Sequence, residues 1–119
     1  MRNDNKFLII SKAFAIRVIR LYQYLVREKQ EYVLSKQILR SGTSIGANVR
    51  ESVNARSRAD FINKLNIALK ESNETEYWLE LIYETEYIDD KQFNSLLEDN
   101  KNITGTLINI IKTTKNNNL

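Results

Sequence analysis

The sequence has no cysteine, no histidine and no proline, and only three glycines among 119 residues. Without cysteine it can form no disulfide, no thiolate metal site and no cysteine nucleophile. Without histidine it lacks Ser-His-Asp catalysis, the Glu-x-x-His ligand pairs of di-iron bundles and the usual general base near neutral pH. We therefore expect a protein that is not an enzyme and that holds no metal and no cofactor.

The same absences limit the fold. An all-β sandwich needs frequent turns rich in proline and glycine, so helices are the expected structure. The length suits one domain over residues 1–119, and 42% hydrophobic with 28% charged residues is the composition of an ordinary globular domain. The apolar run at 7–10 is too short for a membrane span or a secretory signal, so we expect a cytoplasmic protein with no membrane association.

Apolar residues recur at spacings of three and four in four segments, which predicts helices over about 4–29, 33–55, 58–87 and 90–114, with 115–119 as a frayed tail. In the first segment this set is Phe7, Ile10, Phe14, Val18, Leu21 and Leu25. Ser57 and Asp89 are suitable N-caps for the third and fourth helices. Because the joints are short, we predict an all-α fold, an up-down-up-down antiparallel four-helix bundle.

Charge is unevenly distributed along the chain. Residues 1–59 carry 12 basic and 4 acidic residues, a net charge of +8, whereas residues 60–119 carry 6 and 11, a net charge of −5. A basic half favours contact with a polyanion, but it could equally pair with the acidic half of another copy. Both interpretations stay open at this point.

On a helical wheel, the basic residues of the first helix fall within an arc of roughly 140°, and the apolar set fills most of the remainder. No acidic residue interrupts the arc between Asp4 and Glu28, and Tyr24 lies inside it. The second helix adds further basic residues, Lys36, Arg40 and Arg50. Cations with an interleaved aromatic ring suit phosphate neutralisation and base stacking. We predict base stacking by Tyr24 and phosphate contacts by Lys12, Arg17, Arg20, Arg27, Lys36 and Arg40.

The second helix has an unusual centre made of small residues. Gly42 and Gly46 inside a helix each cost about 1 kcal/mol relative to alanine, so we expect them to allow another backbone to approach closely. A phosphate-binding loop is less favoured because the Gly-x4-Gly-Lys-Ser/Thr order is missing. The third helix has a polar centre at 70–75. Buried polar groups need partners, which predicts a structural network among Arg40, Ser44, Asn48, Glu71 and Glu74.

Two blocks of the sequence resemble a known family. They are Arg40-Ser41-Gly42-Thr43-Ser44-Ile45-Gly46-Ala47-Asn48-Val49 with Glu51, and the stretch from Asp60-Phe61 through Lys64-Leu65, Ile67-Ala68-Leu69-Lys70-Glu71 and Glu74-Thr75 to Tyr77-Trp78-Leu79. The chain thereby resembles the small four-helix-bundle proteins encoded in intervening sequences of bacterial 23S ribosomal RNA genes. It is also similar to the accessory variability proteins of diversity-generating retroelements.

Those accessory proteins form barrel-shaped homopentamers and bind nucleic acid and a reverse transcriptase. The resemblance implies for this chain an up-down bundle, a homo-oligomeric ring of five subunits, RNA or DNA binding, and room for a protein partner. A head-to-tail ring would bring the basic half of one subunit to the acidic half of the next. Two hypotheses follow. In one, the basic face on the first two helices binds nucleic acid without strong sequence specificity; in the other, that face serves contacts between subunits or with a protein partner.

Overall fold

Four long helices account for nearly all of the chain. The computed structural model describes residues 2–117, with side chains for 6–117. Its helices are α1 (Arg2–Lys29), α2 (Leu34–Val53), α3 (Arg58–Glu84) and α4 (Asp90–Asn116). They run up and down in turn within a body of 51 × 21 × 21 Å. The all-α, antiparallel four-helix bundle is therefore confirmed.

The helix bounds differ from the predicted ones by one to three residues: α1 begins at Arg2, α2 spans Leu34–Val53, and the ends of α3 and α4 are also shifted. Lys115 and Asn116 belong to α4 and not to a frayed tail, and residues 118–119 of the predicted tail lie outside the described residues. The third helix ends at Glu84 and not near residue 87. Glu86 has a φ of 69°, and the Tyr87 N–H donates to the Ile82 carbonyl at 3.1 Å. This helix-ending motif usually has glycine at the left-handed position, and because Glu86 stands there no residue pattern predicted it.

Both predicted N-caps are present. The Ser57 hydroxyl accepts a hydrogen bond from the Asp60 N–H at 3.0 Å. Asp89 and Gln92 form a complete capping box, with bonds of 2.8 and 2.9 Å between each side chain and the other's backbone N–H. These bonds satisfy N–H groups that a helix start leaves without partners.

One continuous apolar core runs along the bundle, with contributions from all four helices. From α1 it takes Phe7, Phe14, Val18, Leu21 and Leu25, whereas Ile10 of the predicted set is exposed. The reason is that α1 and α4 pack least closely of the neighbouring helices. The bundle is therefore more open along its α1/α4 side than elsewhere.

The small residues of α2 allow α1 to approach closely, as predicted. A Cβ built at Gly42 would lie 2.7 Å from both Val18 methyl groups, and one at Gly46 would lie 3.3 Å from the Ser11 carbonyl oxygen. Neither distance leaves room for an additional methyl group without movement of α1. The packing explanation for these glycines is therefore confirmed.

The polar centre of α3 does form a buried network, but its members differ from the predicted ones. Thr75 donates to the Ser41 hydroxyl at 2.9 Å, which links α3 to α2. Ser72 donates to Asn100 Oδ1 at 3.1 Å, and Asn100 Nδ2 donates back to the Ser72 carbonyl at 3.0 Å, which links α3 to α4. The hydroxyl of Thr104 also bonds to that of Ser72. Short hydroxyl and amide side chains fill this layer.

The predicted contacts of Glu71 and Glu74 with α2 are wrong. Ser44 and Asn48 bond instead to carbonyls of their own helix, those of Arg40 and Ser44 respectively. Glu71 Oε1 is buried with no hydrogen-bond partner in the described part of the chain. Inside a helix, a serine or asparagine side chain reaches the backbone carbonyl one turn earlier more easily than it reaches a side chain on the neighbouring helix.

Candidate nucleic-acid interface

The packing of α1 on α2 determines which of their charged residues are neighbours. Ser11 lies opposite Gly46 and Val18 lies opposite Gly42, so α2 packs antiparallel to α1. Between them is a groove of about 380 Å³, with Lys12 and Arg50 among its lining residues. Its other lining residues are mostly small or apolar: Leu8, Ala15, Thr43, Gly46, Ala47 and Glu51.

Both α1 and α2 carry exposed cations, and Lys12 and Arg50 line the groove between the two helices. We call the surface that carries these cations the basic face and define it by Lys12, Arg27, Lys36, Arg40 and Arg50, all of which are exposed. Arg20 is exposed at its α4 edge and donates to Gln23 at 3.3 Å. Arg50 was not among the predicted contact residues. Its position one turn after Gly46, which packs against α1, indicated that it lies near α1.

Acidic residues are nearly absent from the basic face. Glu51 lines the groove, but its carboxylate lies 3.2 Å from Lys64 Nζ, so it is paired toward α3. No ion pair holds Lys12, Arg27, Lys36, Arg40 or Arg50 among residues 6–117. These five side chains are therefore available to an anionic ligand.

Arg17 is placed differently from the other predicted phosphate contacts. Its Nη1 donates to Asp99 Oδ2 at 2.7 Å, and its Nη2 donates to the Ser95 hydroxyl at 2.9 Å. Both partners are on α4, so Arg17 points away from α2 and is occupied within the bundle. On the helical wheel, Arg17 lies at the edge of the basic arc. Its partners therefore depend on the helix packed beside that edge, which is α4.

Tyr24 is also directed away from the basic face. Its ring is half-buried and packs against the core, and Lys29 Nζ lies 5.9 Å from the ring centroid. It lines the α1/α4 groove together with Gln92 and Leu96. Arg17 and Arg20 line the same groove and the ring is half-buried, so base stacking by Tyr24 stays a prediction.

The outer side of α1 is more apolar than predicted. Ile9 and Ile16 fall inside the basic arc, seven residues apart, and are 69% and 48% exposed. Ala13 lies between them and is exposed as well. The arc is thus a mixed surface in which exposed isoleucines alternate with cations.

Four acidic residues lie together at one end of the bundle, around the α3–α4 turn. A cavity of about 730 Å³ there is lined by four acids with Tyr24, Lys29, Tyr83, Tyr87, Ile88 and Gln92; the acids are Glu84, Glu86, Asp89 and Asp90. The Tyr83 hydroxyl donates to Asp90, and this hydrogen bond raises the pKa of Tyr83 above its ordinary value. Because Tyr24 and Lys29 also line this cavity, the end of α1 lies at the same end of the bundle as these acids.

No group of three or more acidic side chains among residues 6–117 is arranged to hold a metal ion. Within the described helices, no segment combines the length and the apolar character needed to cross a bilayer.

Comparison with known proteins identifies the family. The model of the 23S rRNA-intervening sequence protein family matches residues 3–109. The chain belongs to this family. A crystal structure of a protein with unknown function from the S23 ribosomal protein family of Bacteroides thetaiotaomicron VPI-5482 is 61% identical. The matched region covers 92% of this chain and 97% of the Bacteroides chain, with a TM-score of 0.90. No curated protein matches the chain.

Proposed function

We propose that this 23S rRNA-intervening sequence protein is a non-catalytic, oligomeric, nucleic-acid-binding protein that acts in the cytoplasm and contacts RNA or DNA through the basic face. The observation that carries the proposal is the packing of α2 on α1 at Gly42 and Gly46. This packing joins cations from two helices into one surface whose single lining carboxylate, Glu51, is paired elsewhere. Flexible lysines and arginines without an ordered pattern of hydrogen bonds read phosphates and not base edges, so little sequence specificity is expected.

The experiment compares two triple charge reversals in fluorescence anisotropy with a labelled RNA. One variant reverses the basic face with Arg27→Glu, Lys36→Glu and Arg40→Glu. The control reverses three exposed lysines of α3 and α4, Lys70→Glu, Lys91→Glu and Lys112→Glu, and changes the net charge by the same amount. The proposal predicts loss of binding in the first variant only. Equal losses in both would mean that net charge, and not this surface, attracts the RNA.

A second candidate function is assembly, in which the same side of α1 contacts another subunit or a protein partner. The exposure of Ile9 and Ile16 favours it, because large apolar groups grouped on one helix face are typical of protein contacts. Electrostatics favours a head-to-tail contact, since α1 carries seven basic and two acidic residues whereas α3 carries three and six.

Light scattering of the same variants separates the two functions. A mass near five times the 14.0 kDa of one chain would support the pentamer. If the basic-face reversals lower the mass and added RNA leaves the sedimentation profile unchanged, assembly is the better description. If the mass stays the same and RNA binding is lost, the nucleic-acid function is supported.

A further inference from the structure

An exposed aromatic ring lies at the end of the bundle where α1 turns into α2. Tyr32 is 53% exposed and the adjacent Val33 is 69% exposed. No hydrogen bond, ring contact or ion pair involves the Tyr32 side chain within residues 6–117. A single exposed apolar residue is common, but two large ones side by side at the tip of a turn indicate a contact surface.

The turn that presents Tyr32 is firmly held. The Glu31 N–H donates to the Leu25 carbonyl at 2.9 Å, which closes α1. The Glu31 carboxylate accepts hydrogen bonds from the N–H groups of Val33, Leu34 and Ser35 at 3.1, 2.9 and 2.7 Å, which caps α2. The backbone is thus fixed on both sides of Tyr32, so a ligand that contacts the ring orders little of the chain.

The exposed charges nearest to Tyr32 in sequence are mainly positive, whereas the acidic cavity of the α3–α4 turn, with Lys29 in its lining, lies at the same end of the bundle. Arg27, Lys29 and Lys36 are exposed and lie within five residues of it. Glu31 is buried, and its charge is directed into the start of α2. Glu28 is the exposed acid of this stretch. Because Arg27 and Lys36 also belong to the basic face, the ring stands at the end of the cationic surface.

We propose that Tyr32 is the base-stacking residue of this interface and that the ligand is single-stranded RNA or DNA. The inference rests on the proposed nucleic-acid function. An unpaired base exposes its π face and can stack on the ring, while its phosphates contact Arg27 and Lys36. In a duplex the bases stack on one another, so a ring on a short turn reaches only their edges or the terminal pair. Tyr32 therefore takes the place predicted for Tyr24.

The test measures binding of a labelled single-stranded 12-mer and of a blunt duplex of the same sequence by fluorescence anisotropy. Tyr32→Ala should weaken single-strand binding about five- to one-hundred-fold, the range for loss of one stacked base. Tyr32→Phe, which keeps the ring, should retain the affinity. Tyr77 of α3 provides a matched control, since it is 54% exposed on an acidic helix. Tyr77→Ala should leave both affinities unchanged.

The outcomes distinguish this inference from the function on which it rests. If Tyr32→Ala binds the single strand as well as the wild type, and the basic-face reversals abolish binding, Tyr32 is not the stacking residue and the proposed function stands. If the wild type prefers the duplex, the single-strand assignment is overturned. If Tyr32→Ala dissociates the oligomer without changing affinity, the ring belongs to a subunit contact. If neither nucleic acid binds at low salt, both proposals fail.

Discussion

Arg17 of α1 and Asp99 of α4 form an ion pair of 2.7 Å between the two neighbouring helices that pack least closely. The guanidinium also bonds to the Ser95 side chain, so it is held at two points on α4. Both contacts hold Arg17 against α4 and away from the basic face. Arg17 fastens the open side of the bundle, and the cations left for a ligand are those nearer α2.

A double-mutant cycle tests this assignment. Arg17→Ala, Asp99→Ala and the double variant should give a coupling energy of about 0.2–1 kcal/mol in urea unfolding, because both side chains are partly exposed. Arg17→Ala should also weaken RNA binding less than Arg27→Ala does. Strictly additive single variants, or a greater loss of binding for Arg17→Ala, would contradict it.

Two glycine substitutions should change stability in opposite directions. Gly42→Ala should lower the free energy of unfolding by about 1–3 kcal/mol, because the new Cβ would clash with both Val18 methyl groups and α1 would have to move. Gly105 is in α4, exposed, with no atom within 4 Å of an added Cβ. Gly105→Ala should raise stability by about 1 kcal/mol through helix propensity alone. Thermal and urea unfolding measure both; a stabilised Gly42→Ala would mean that α1 does not approach α2 as described.

The buried Asn100 provides a test of the polar layer. Asn100→Ala should cost about 1–3 kcal/mol, because it leaves the Ser72 carbonyl without its side-chain donor in a dry position. Asn102 lies two residues further along α4 but is exposed, and its side chain makes no hydrogen bond in the described structure. Asn102→Ala should stay within about 0.5 kcal/mol of the wild type. Similar effects of the two substitutions in urea unfolding would rule out a structural role for the layer.

Glu31 predicts a pH dependence of stability. Burial disfavours the charged form, but hydrogen bonds from the N–H groups of Leu34, Ser35 and Val33 outweigh it, so the pKa of Glu31 lies below its ordinary value. Its contribution is therefore present above the unfolded pKa of about 4.3 and is lost as the pH falls through the lower folded pKa.

The matching variant is Glu31→Gln. It should cost about 1–2 kcal/mol at pH 7, because an amide oxygen accepts these bonds less strongly than a carboxylate. The gap to the wild type should narrow on acidification, as measured by urea unfolding at pH 7, 5 and 3. A gap that stays constant over this range would show that the charge on Glu31 does not matter.

Local sequence patterns predicted the bundle well because each was strong by itself. The apolar spacing, the caps at Ser57 and Asp89 and the glycines of α2 all favoured the same fold. The end of α3 was missed because Glu86 adopts a left-handed conformation without the glycine that normally signals it.

The candidate site was harder to predict because it depends on pairs of helices. A wheel of α1 alone places Arg17 and Tyr24 among the cations, but their partners on α4 lie more than sixty residues away in sequence. The exposure of Ile16 was not predicted, because no sequence pattern shows that an isoleucine lacks a neighbouring helix to cover it. Tyr32 lies in a turn, where helical periodicity gives no information about exposure.

The salt dependence of RNA binding tests the central claim most directly. Anisotropy titrations between about 50 and 200 mM salt should give a slope of log affinity against log salt of about −3 to −4, as expected for four or five phosphate contacts. The Arg27→Glu, Lys36→Glu, Arg40→Glu variant should bring that slope close to zero, and the Lys70→Glu, Lys91→Glu, Lys112→Glu variant should keep it. A flat response of the wild type, or an equal slope in both variants, would contradict nucleic-acid binding by the basic face.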